Sequence, residues 1–564
     1  RAATSPSRSR TDPRTAMDLL LDTFGFASVI LSGVVRTFQC LTLGGIAFLV
    51  FIAVPLDRGA AAEGALVPRS MQLTRIFAWG LLIAVALLLA MQVTILVGTT
   101  EIPVSEALGG DFAVAQLVRI AGAILMLVLL HRRNPAVPLL AALALIDLGA
   151  GVATSHAMAR VDARALLVAV TALHHAGAAT WIGGLPCFLS AMQRLPAGAL
   201  RARVGARYSA LSMISVAAIA ISGIPMLVYY VGSAEAMYGT AYGMMLGTKS
   251  TLFLGLLALG YGNFRVVRGL AADPSGSVMR LRRFAEVELG VGITIFFVAA
   301  SMTSLPPAAD LTRDRATLPE IAERLAPKWP HLTSPGRDTL AFYQLEKAID
   351  EQKAAREPLT LQAYVPGSGV TLPRNAHDVA WSEYNHHWAG MIVLIMGILV
   401  LLEKTGKAPW ARHWPLLLVV LAVFLFMRSE AESWPTGKLT LLESLRDPEF
   451  IQHRTFMVLM TGFAVFEWSV RNRFLRNNWS QYVFPLLCAL GGMLLLTHSH
   501  SIANVKESLL QEMTHMPLAV FAVWSGWTRW LELRLDGRAR VICGWLWPVF
   551  FCLTAITLLL YREI

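Results

Sequence analysis

Residues 76–98, IFAWGLLIAVALLLAMQVTILVG, contain no charged side chain. An uninterrupted apolar run of about 20 residues can cross the hydrocarbon core of a bilayer, which is roughly 30 Å thick. Comparable runs recur along the 564 residues, of which 55% are hydrophobic and only 15% charged. Because lipid leaves the edge of an open sheet without hydrogen-bond partners, these runs are expected to be helices. The sequence therefore predicts an all-α fold, a polytopic membrane helix bundle.

The predicted bundle has about 14 transmembrane helices, eight before and six after a polar segment. The predicted spans are 26–52, 74–98, 112–131, 136–155, 164–191, 208–231, 244–268, 282–304, 385–403, 413–428, 453–471, 482–498, 513–533 and 541–561. The predicted domains are a disordered N-terminal tail at 1–25, an eight-helix domain at 26–305, a periplasmic segment at 306–380 and a six-helix domain at 381–564. Two stretches of the periplasmic segment, 318–326 and 339–355, have the pattern of amphipathic helices.

Arginine and lysine are concentrated in every second loop between the predicted spans. Basic loops lie on the cytoplasmic side of a membrane, so this alternation places an even number of spans with both termini in the periplasm. The net charge of +11 is thereby explained by topology and by contact with anionic membrane lipid, and no nucleic-acid partner is expected. The predicted cytoplasmic loops are 132–135, 194–206, 269–281, 404–412, 472–480 and 534–540.

The histidines are distributed unevenly across this topology. Of the 13 histidines, only His131 and His413 face the cytoplasm. Histidine is the commonest side-chain metal ligand, so a one-sided collection favours a membrane protein that handles a metal at its outer face. The histidines outside or in the outer half of a span are His156, His174, His175, His331, His377, His386, His387, His453, His498, His500 and His515.

The first candidate site lies in the N-terminal group of helices. His174 and His175 are about ten residues into the fifth predicted span, roughly 15 Å deep at 1.5 Å per residue. His156 and Met158 end the preceding span at the outer mouth. Polar groups inside a membrane are costly and tend to be functional. We therefore interpret these four residues as metal ligands, although satisfied core histidines are the alternative.

The sequence around this site resembles the bacterial copper-resistance protein D (CopD/PcoD) family over about residues 26–308. The matching pieces are LHHAGAATWIGGLPCFL at 173–189, GTKSTLFLGLLALGYGNFRVVR at 247–268 and LRRFAEVELGVGITIFFVAASMTSLPPA at 281–308. One difference is the second histidine of the pair, where an apolar residue is expected in many relatives. A larger difference is the C-terminal group of six helices, which the usual short members lack.

The resemblance implies a multi-pass protein of the bacterial cell inner membrane that handles copper. It implies a periplasmic copper carrier of the CopC type as partner and the passage of copper inward. It also points to His156, His174 and His175 as the metal contacts.

A second candidate site lies in the C-terminal group of helices, which the resemblance does not cover. Its histidines occupy the outer ends of several predicted spans, so one bundle could bring them together. Imidazole suits copper and zinc, and methionine sulfur selects Cu(I). We therefore predict that at least three of the five histidines named below converge on one ion, with Met513, Met516 or Glu383 as a further ligand. The candidates are Glu383, His386, His387, His498, His500 and His515.

Three charged residues fall near the middle of the membrane. They are Arg36, Arg119 and Asp147, each about seven to eleven residues into a predicted span, or roughly 10–16 Å deep. A buried arginine–aspartate pair that holds three helices together is the simpler interpretation. A proton or ion route beneath His156 is the alternative.

Three functions remain open at this stage. The first is a copper-handling membrane protein that catches periplasmic copper and relays or imports it. The second is a b-type cytochrome, in which histidines on different helices hold haem b. The third is an accessory subunit with partners in a respiratory or copper-enzyme membrane complex. The sequence has no Walker A motif, no dinucleotide-binding glycine pattern and no CxxC or CPC motif, and we expect a protein that is not an enzyme.

Overall fold

The described part of the computed structural model is helical throughout and confirms the all-α fold. Ten of its helices are long and apolar enough to cross a membrane, and Val137–Ala153 and Ser480–Leu495 are shorter apolar helices. The chain is therefore a polytopic membrane helix bundle. The structure describes residues 13–57, 66–132, 136–313, 315–340, 375–429, 431, 433–445, 448–497 and 505–563.

The long helices before the polar segment are α1 Pro13–Phe48, α2 Leu66–Thr100, α3 Asp111–Leu130, α4 Val137–Ala153, α5 Arg164–Ala178, α6 Ala199–Tyr230, α7 Ala241–Ala272 and α8 Met279–Met302. α1 continues through the π-turn Leu49–Ala53 into Val54–Asp57, and α5 continues through the π-turn Ala179–Gly183 into Leu185–Arg194. α1 begins inside the predicted N-terminal tail, of which residues 1–12 lie outside the described part.

The long helices after the polar segment are α9 Ala376–Lys404, α10 Leu417–Arg428, α11 Pro448–Arg471, α12 Val483–Leu495, α13 Val505–Arg534 and α14 Gly537–Leu559. A 3-10 helix, Pro409–Leu416, precedes α10. Shorter helices are Val104–Gly109, His156–Ala159, Ala234–Tyr238, Leu318–Leu325 and Leu441–Ser444.

The chain folds into two compact units. Unit 1 comprises residues 1–191 and 207–223, and unit 2 comprises residues 192–206 and 224–564. The boundaries of these units differ from the boundaries of the domains predicted from the sequence. The predicted domains therefore stay a prediction.

In unit 1, α1 packs closely against the π-turn that follows α5. A Cβ atom at Gly183 would lie 1.8 Å from the Cys40 carbonyl oxygen, and one at Gly44 would lie 2.2 Å from the Gly183 carbonyl carbon. Only glycine permits this approach. α5 meets α6 in a similar way, since a Cβ atom at Gly177 would lie 2.9 Å from the Ser215 carbonyl oxygen. These contacts fix α5, which carries two of the candidate histidines.

In unit 2, α13 is the central helix. It packs against α12, α14, α7 and α8. Two tryptophans of α13 lie over glycines of the neighbouring helices, because a Cβ atom at Gly255 would lie 2.2 Å from the Trp524 ring and one at Gly290 would lie 1.8 Å from the Trp527 ring. A second group of aromatic rings, with Trp414 and Trp547 fully buried, fills the space between α9, α12 and α14.

The polar segment packs on unit 2 where the structure describes it. The amphipathic helix predicted at 318–326 is present as Leu318–Leu325, and a capping box formed by Thr317 and Glu320 starts it. Ala316, just before this helix, packs with Leu509 and Met513 of α13. Most of the helix predicted at 339–355 lies outside the described residues.

Candidate functional site

The His174 and His175 pair lies on α5, half-buried in unit 1. The two ring centroids are 6.4 Å apart and the ring planes are inclined by 65°. The His174 Nδ1 atom lies 3.1 Å from the Ser222 hydroxyl oxygen of α6. The close approach of α5 and α6 at Gly177 makes this contact possible.

The hydrogen bond to Ser222 determines the tautomer of His174. The Ser222 hydroxyl donates its own proton to the Ala218 carbonyl oxygen at 2.7 Å. With the Ser222 proton on that carbonyl, His174 Nδ1–H donates to Ser222 and the lone pair is on Nε2. Metal-binding histidines characteristically donate from one ring nitrogen to a protein oxygen while the other nitrogen binds the ion. The geometry of His174 fits a metal ligand.

His156 begins a short helix, His156–Ala159, that packs against both α4 and α5. The His156 side chain is half-buried, and the Met158 side chain is 41% exposed. The structure thus places His156 and Met158 in unit 1 with the His174 and His175 pair. A thioether beside imidazoles is a donor set that suits Cu(I).

A buried polar network lies in the same unit. Arg119 of α3 donates from Nε to Asp147 Oδ1 of α4 at 3.2 Å, and both side chains are almost completely buried. Gln39 of α1 donates to Asp147 Oδ2 at 2.9 Å, and Gln116 accepts from Arg119 Nη1 at 3.1 Å. The predicted arginine–aspartate pair is confirmed. The third helix joins it through Gln39, whereas Arg36 is one turn away on α1.

In unit 2, His386 near the start of α9 has the same hydrogen-bond pattern as His174. Its Nδ1 atom lies 2.9 Å from the Ser382 carbonyl oxygen. A carbonyl oxygen only accepts, so Nδ1–H donates and the lone pair is on Nε2. The His386 ring stacks on Tyr561 with centroids 3.7 Å apart, and His515 of α13 meets the same tyrosine at 6.2 Å.

His387, the next residue, is in a different environment. It is buried, and its Nδ1 atom accepts from the His331 backbone N–H at 2.6 Å. Its Nε2–H donates to the Tyr561 carbonyl oxygen at 2.8 Å. Because backbone groups occupy both ring nitrogens, binding of a metal at His387 requires one of these hydrogen bonds to break.

Tyr561 and Glu563, two polar residues beyond α14, lie at this cluster. They were not among the candidate site residues predicted from the sequence. The Glu563 carboxylate accepts from the Tyr561 hydroxyl at 2.7 Å and also from Ser382 Oγ–H. Glu563 thereby brings a carboxylate to the tyrosine on which His386 stacks. The signal that could have found it is the polar ending Tyr561–Glu563 directly after an apolar span.

Arg324 ties the polar segment to the same place. It donates from Nη1 to the Glu563 carbonyl oxygen at 2.9 Å and from Nη2 to the Arg562 carbonyl oxygen. Burial lowers the pKa of the Arg324 guanidinium, and the neighbouring Tyr561, Glu563 and Glu383 oppose that effect. Glu383 is thus part of the electrostatic surroundings of the cluster.

The remaining predicted ligands are divided between described and undescribed residues. Met513 and Met516 are buried on α13. His498 and His500 lie outside the described residues. Among the residues that the structure does describe, no three His, Cys, Asp or Glu side chains are arranged to hold one metal ion. The predicted convergence of three of the five C-terminal histidines remains untested and stays a prediction.

Comparisons with known proteins identify part of the chain. Residues 202–302 match the family described as Copper resistance protein D, which confirms the resemblance for this region. The chain is 30% identical over 156 residues, 27% of its length, to the protein named Copper transport protein CutJ of Bacillus subtilis (strain 168). The chain spans about 28% of the length of that relative. No solved structure matches the chain.

The family match and the apolar helices agree on the location. Ten helices of the described residues are long and apolar enough to cross a membrane, and residues 202–302 match the copper resistance protein D family. The protein is a multi-pass protein of the bacterial cell inner membrane, as predicted.

Proposed function

We propose that this protein takes copper at the periplasmic face of the inner membrane through His and Met ligands and relays or imports it. The observation that carries this proposal is the match of residues 202–302 to the copper resistance family. The similarity to a protein named for copper transport supports it. Copper is then the transported substrate, and the protein acts as a transporter and not as an enzyme.

The first proposed copper ligands are those of unit 1. His174 supports this role because its Nδ1–H donates to Ser222 and its lone pair is on Nε2. His175 lies beside it on α5, and the helix that carries His156 and Met158 packs on α5. Imidazole and thioether ligands together favour Cu(I).

A second proposed site lies at the outer ends of the helices of unit 2. His386 supports it best, because its Nδ1–H is bound to a carbonyl oxygen in the manner of a metal-binding histidine. His515 meets the same tyrosine, Tyr561. The proposed ligand set is that predicted from the sequence: Glu383, His386, His387, His498, His500 and His515.

The proposed topology has about 14 membrane-spanning helices with both termini in the periplasm. This arrangement would place both sites on the periplasmic side, where a copper carrier of the CopC type would be the partner. The predicted eight-helix and six-helix domains, joined by the periplasmic segment, belong to the same proposal.

The topology makes a prediction for labelling from outside the cell. Single cysteines placed at 194–206 should not react with a membrane-impermeant maleimide, whereas cysteines at 320–340 should react readily. The native cysteines that interfere would first be replaced by alanine. Equal labelling at both places in intact cells would contradict the proposed topology. Permeabilised cells are the control that the cytoplasmic positions are reactive.

The copper proposal is tested on the purified protein by metal analysis and a visible spectrum of the same sample. We expect bound copper and no haem absorption band in the reduced-minus-oxidised spectrum. A sharp band at about 560 nm without copper would instead identify a b-type cytochrome with histidine-ligated haem. Protein purified from copper-depleted cells and then reloaded is the control for adventitious metal.

A further inference from the structure

A cluster of six ionisable side chains lies at the end of unit 2 where α9, α11 and α13 finish, at the other end of α9 from His386. Each of these helices contributes one acidic and one basic member. Burying charge is expensive, and replacing buried ion pairs by apolar residues is often neutral or stabilising. Stability alone is thus a weak reason for the cluster. Its members are Glu403, Lys404, Glu467, Arg471, Arg529 and Glu532.

One half of the cluster has one carboxylate between two cations. Glu532 accepts from Lys404 on Oε1, and on Oε2 from Arg529 at 2.5 Å and from Trp547 Nε1–H at 2.8 Å. Both of its oxygens therefore have donors, and its surroundings carry an excess of positive charge. Glu532 is held as a carboxylate.

The other half has two carboxylates for one guanidinium. Arg471 donates from Nη1 to Glu403 Oε2 and from Nε to Glu467 Oε1, each at 2.8 Å. Two carboxylates that share a site with one cation resist the ionisation of both. Glu403 has a side chain that is 28% exposed, but Glu467 is only 4% exposed. Keeping Glu467 ionised therefore costs more free energy than keeping Glu403 ionised.

Glu467 also has an oxygen without a hydrogen-bond donor among the described residues. Its Oε2 atom is buried and has no hydrogen-bond partner among the described residues. An ionised oxygen in that position costs more than a neutral one. Protonation removes that charge, and Arg471 still keeps Glu403 as its counter-ion. When Glu467 is protonated, the charges of Arg471 and Glu403 still neutralise each other.

We propose that Glu467 is a proton-binding site of unit 2, which exchanges its proton with the aqueous phase at this end of the bundle. An O–H bond forms at Glu467 Oε2, and the proton comes from hydronium or a buffer acid. Two buried donors, Arg471 Nη2 and Trp414 Nε1, likewise have no partner in the described part of the chain. Arg471 lies over the Trp414 ring, 4.7 Å from its centroid, and unpartnered buried polar groups of this kind are what a buried water binds.

The charged groups around Glu467 act in opposite directions, and the burial of its carboxyl group favours the neutral form. Arg471 and Arg529 favour its ionised form, and Glu403 opposes it. His413 contacts Trp468, the residue after Glu467. Its Nδ1 atom accepts from Trp468 Nε1–H at 2.7 Å, so this ring nitrogen is not a proton donor to Glu467. The groups that interact electrostatically with Glu467 are Arg471, Arg529, Glu403 and Cys488. The elements packed against α11 add Arg412 and His413 of the 3-10 helix, Arg428 of α10 and Tyr482.

Infrared spectroscopy of the full-length protein in lipid nanodiscs tests the proposal. A protonated carboxyl group has a C=O band that a carboxylate lacks. We expect Glu467→Gln to remove the intensity of one such group at neutral pH. The matched control, Glu532→Gln, should remove none because that carboxyl is already ionised. An unchanged band in folded Glu467→Gln would overturn the proposal.

A second variant tests why the proton is held. Glu403→Gln leaves Arg471 with Glu467 as its sole carboxylate partner among those described, so Glu467 should ionise and the same band should disappear. A band that survives this change would overturn the role assigned to Glu403.

A measurement on the unmodified chain covers the case in which Glu467→Gln does not fold. A hydrophobic carbodiimide reacts with protonated carboxyl groups in apolar surroundings, and peptide mapping locates the adduct. We expect modification at Glu467 that increases as the pH falls and none at Glu532. Modification at the buried Glu512 without modification at Glu467 would contradict the proposal.

Discussion

Replacing His174 and His175 together with alanine is expected to lower the copper affinity of the purified protein by more than about 100-fold. Changes to residues that only orient a metal ligand typically cost about 10–100-fold in affinity, and the loss of ligands themselves should cost more. The fold should survive, because the hydrogen bond between His174 and Ser222 of α6 is of a kind worth only about 1 kcal/mol. Competition with a chromophoric Cu(I) chelator measures the affinity.

The hydrogen bond to Ser222 provides an intermediate variant. Ser222→Ala removes the oxygen that accepts from His174 Nδ1–H, but it leaves the ligand in place. We expect a loss of about 10–100-fold in copper affinity, between wild type and the double variant. A merely structural role for His174 would leave the affinity of Ser222→Ala unchanged.

A histidine of the same unit serves as the matched control. His131 ends α3, and its Nδ1–H donates to the Leu127 carbonyl oxygen of its own helix at 2.7 Å. His131→Ala should bind copper as the wild type does. If the folded His174 and His175 double variant also kept the wild-type affinity, these two residues would not belong to the copper site.

The fold was predictable from apolar runs because a membrane imposes the length of a helix. The run at 74–98 corresponds to α2, but α2 extends to Leu66–Thr100. The apolar window measures only the part of the helix in hydrocarbon, and the helix continues through Arg69 and Arg75 into the polar region. Helix Leu318–Leu325 was predictable for another reason, its amphipathic pattern, and the capping box of Thr317 and Glu320 starts it.

The candidate sites were predictable in residue type but not in environment. His386 and His387 are equivalent in a sequence, yet the structure gives them different partners. The backbone groups that occupy His387 belong to residues 56 and 174 positions away along the chain. No local pattern encodes such contacts. The role of Ser222, 48 positions from His174, was hidden for the same reason.

The proton-binding cluster was missed although a signal for it existed. Arg471 ends the predicted span 453–471 and precedes the basic loop 472–480, which was interpreted only as a determinant of the topology. Glu467 lies four residues earlier and inside the predicted span, at the spacing of an ion pair on one helix face. An acidic residue within a span, paired at that spacing, indicates burial, since a lipid-facing carboxylate would be far too costly.

The buried pair between Arg119 and Asp147 should have a large effect on stability. Removing one partner, by Asp147→Leu or by Arg119→Met, is expected to lower the free energy of unfolding by about 3–5 kcal/mol, because the other charge stays buried without its counter-ion. Asp147→Leu additionally leaves Gln39 without the carboxylate to which it donates. Unfolding in mixed micelles with increasing SDS measures the change.

The double variant separates a structural pair from a functional one. Arg119→Met combined with Asp147→Leu removes both charges, and its stability should return to within about 1 kcal/mol of the wild type or exceed it, since an apolar pair has no charge to desolvate. Helices α1, α3 and α4 would then be held by packing alone. A double variant that is destabilised by the sum of the two single changes would show that the ion pair does not act as a unit. If the double variant is instead stable but no longer transports copper in proteoliposomes, Arg119 and Asp147 form the polar route beneath His156, and their ion pair is part of transport.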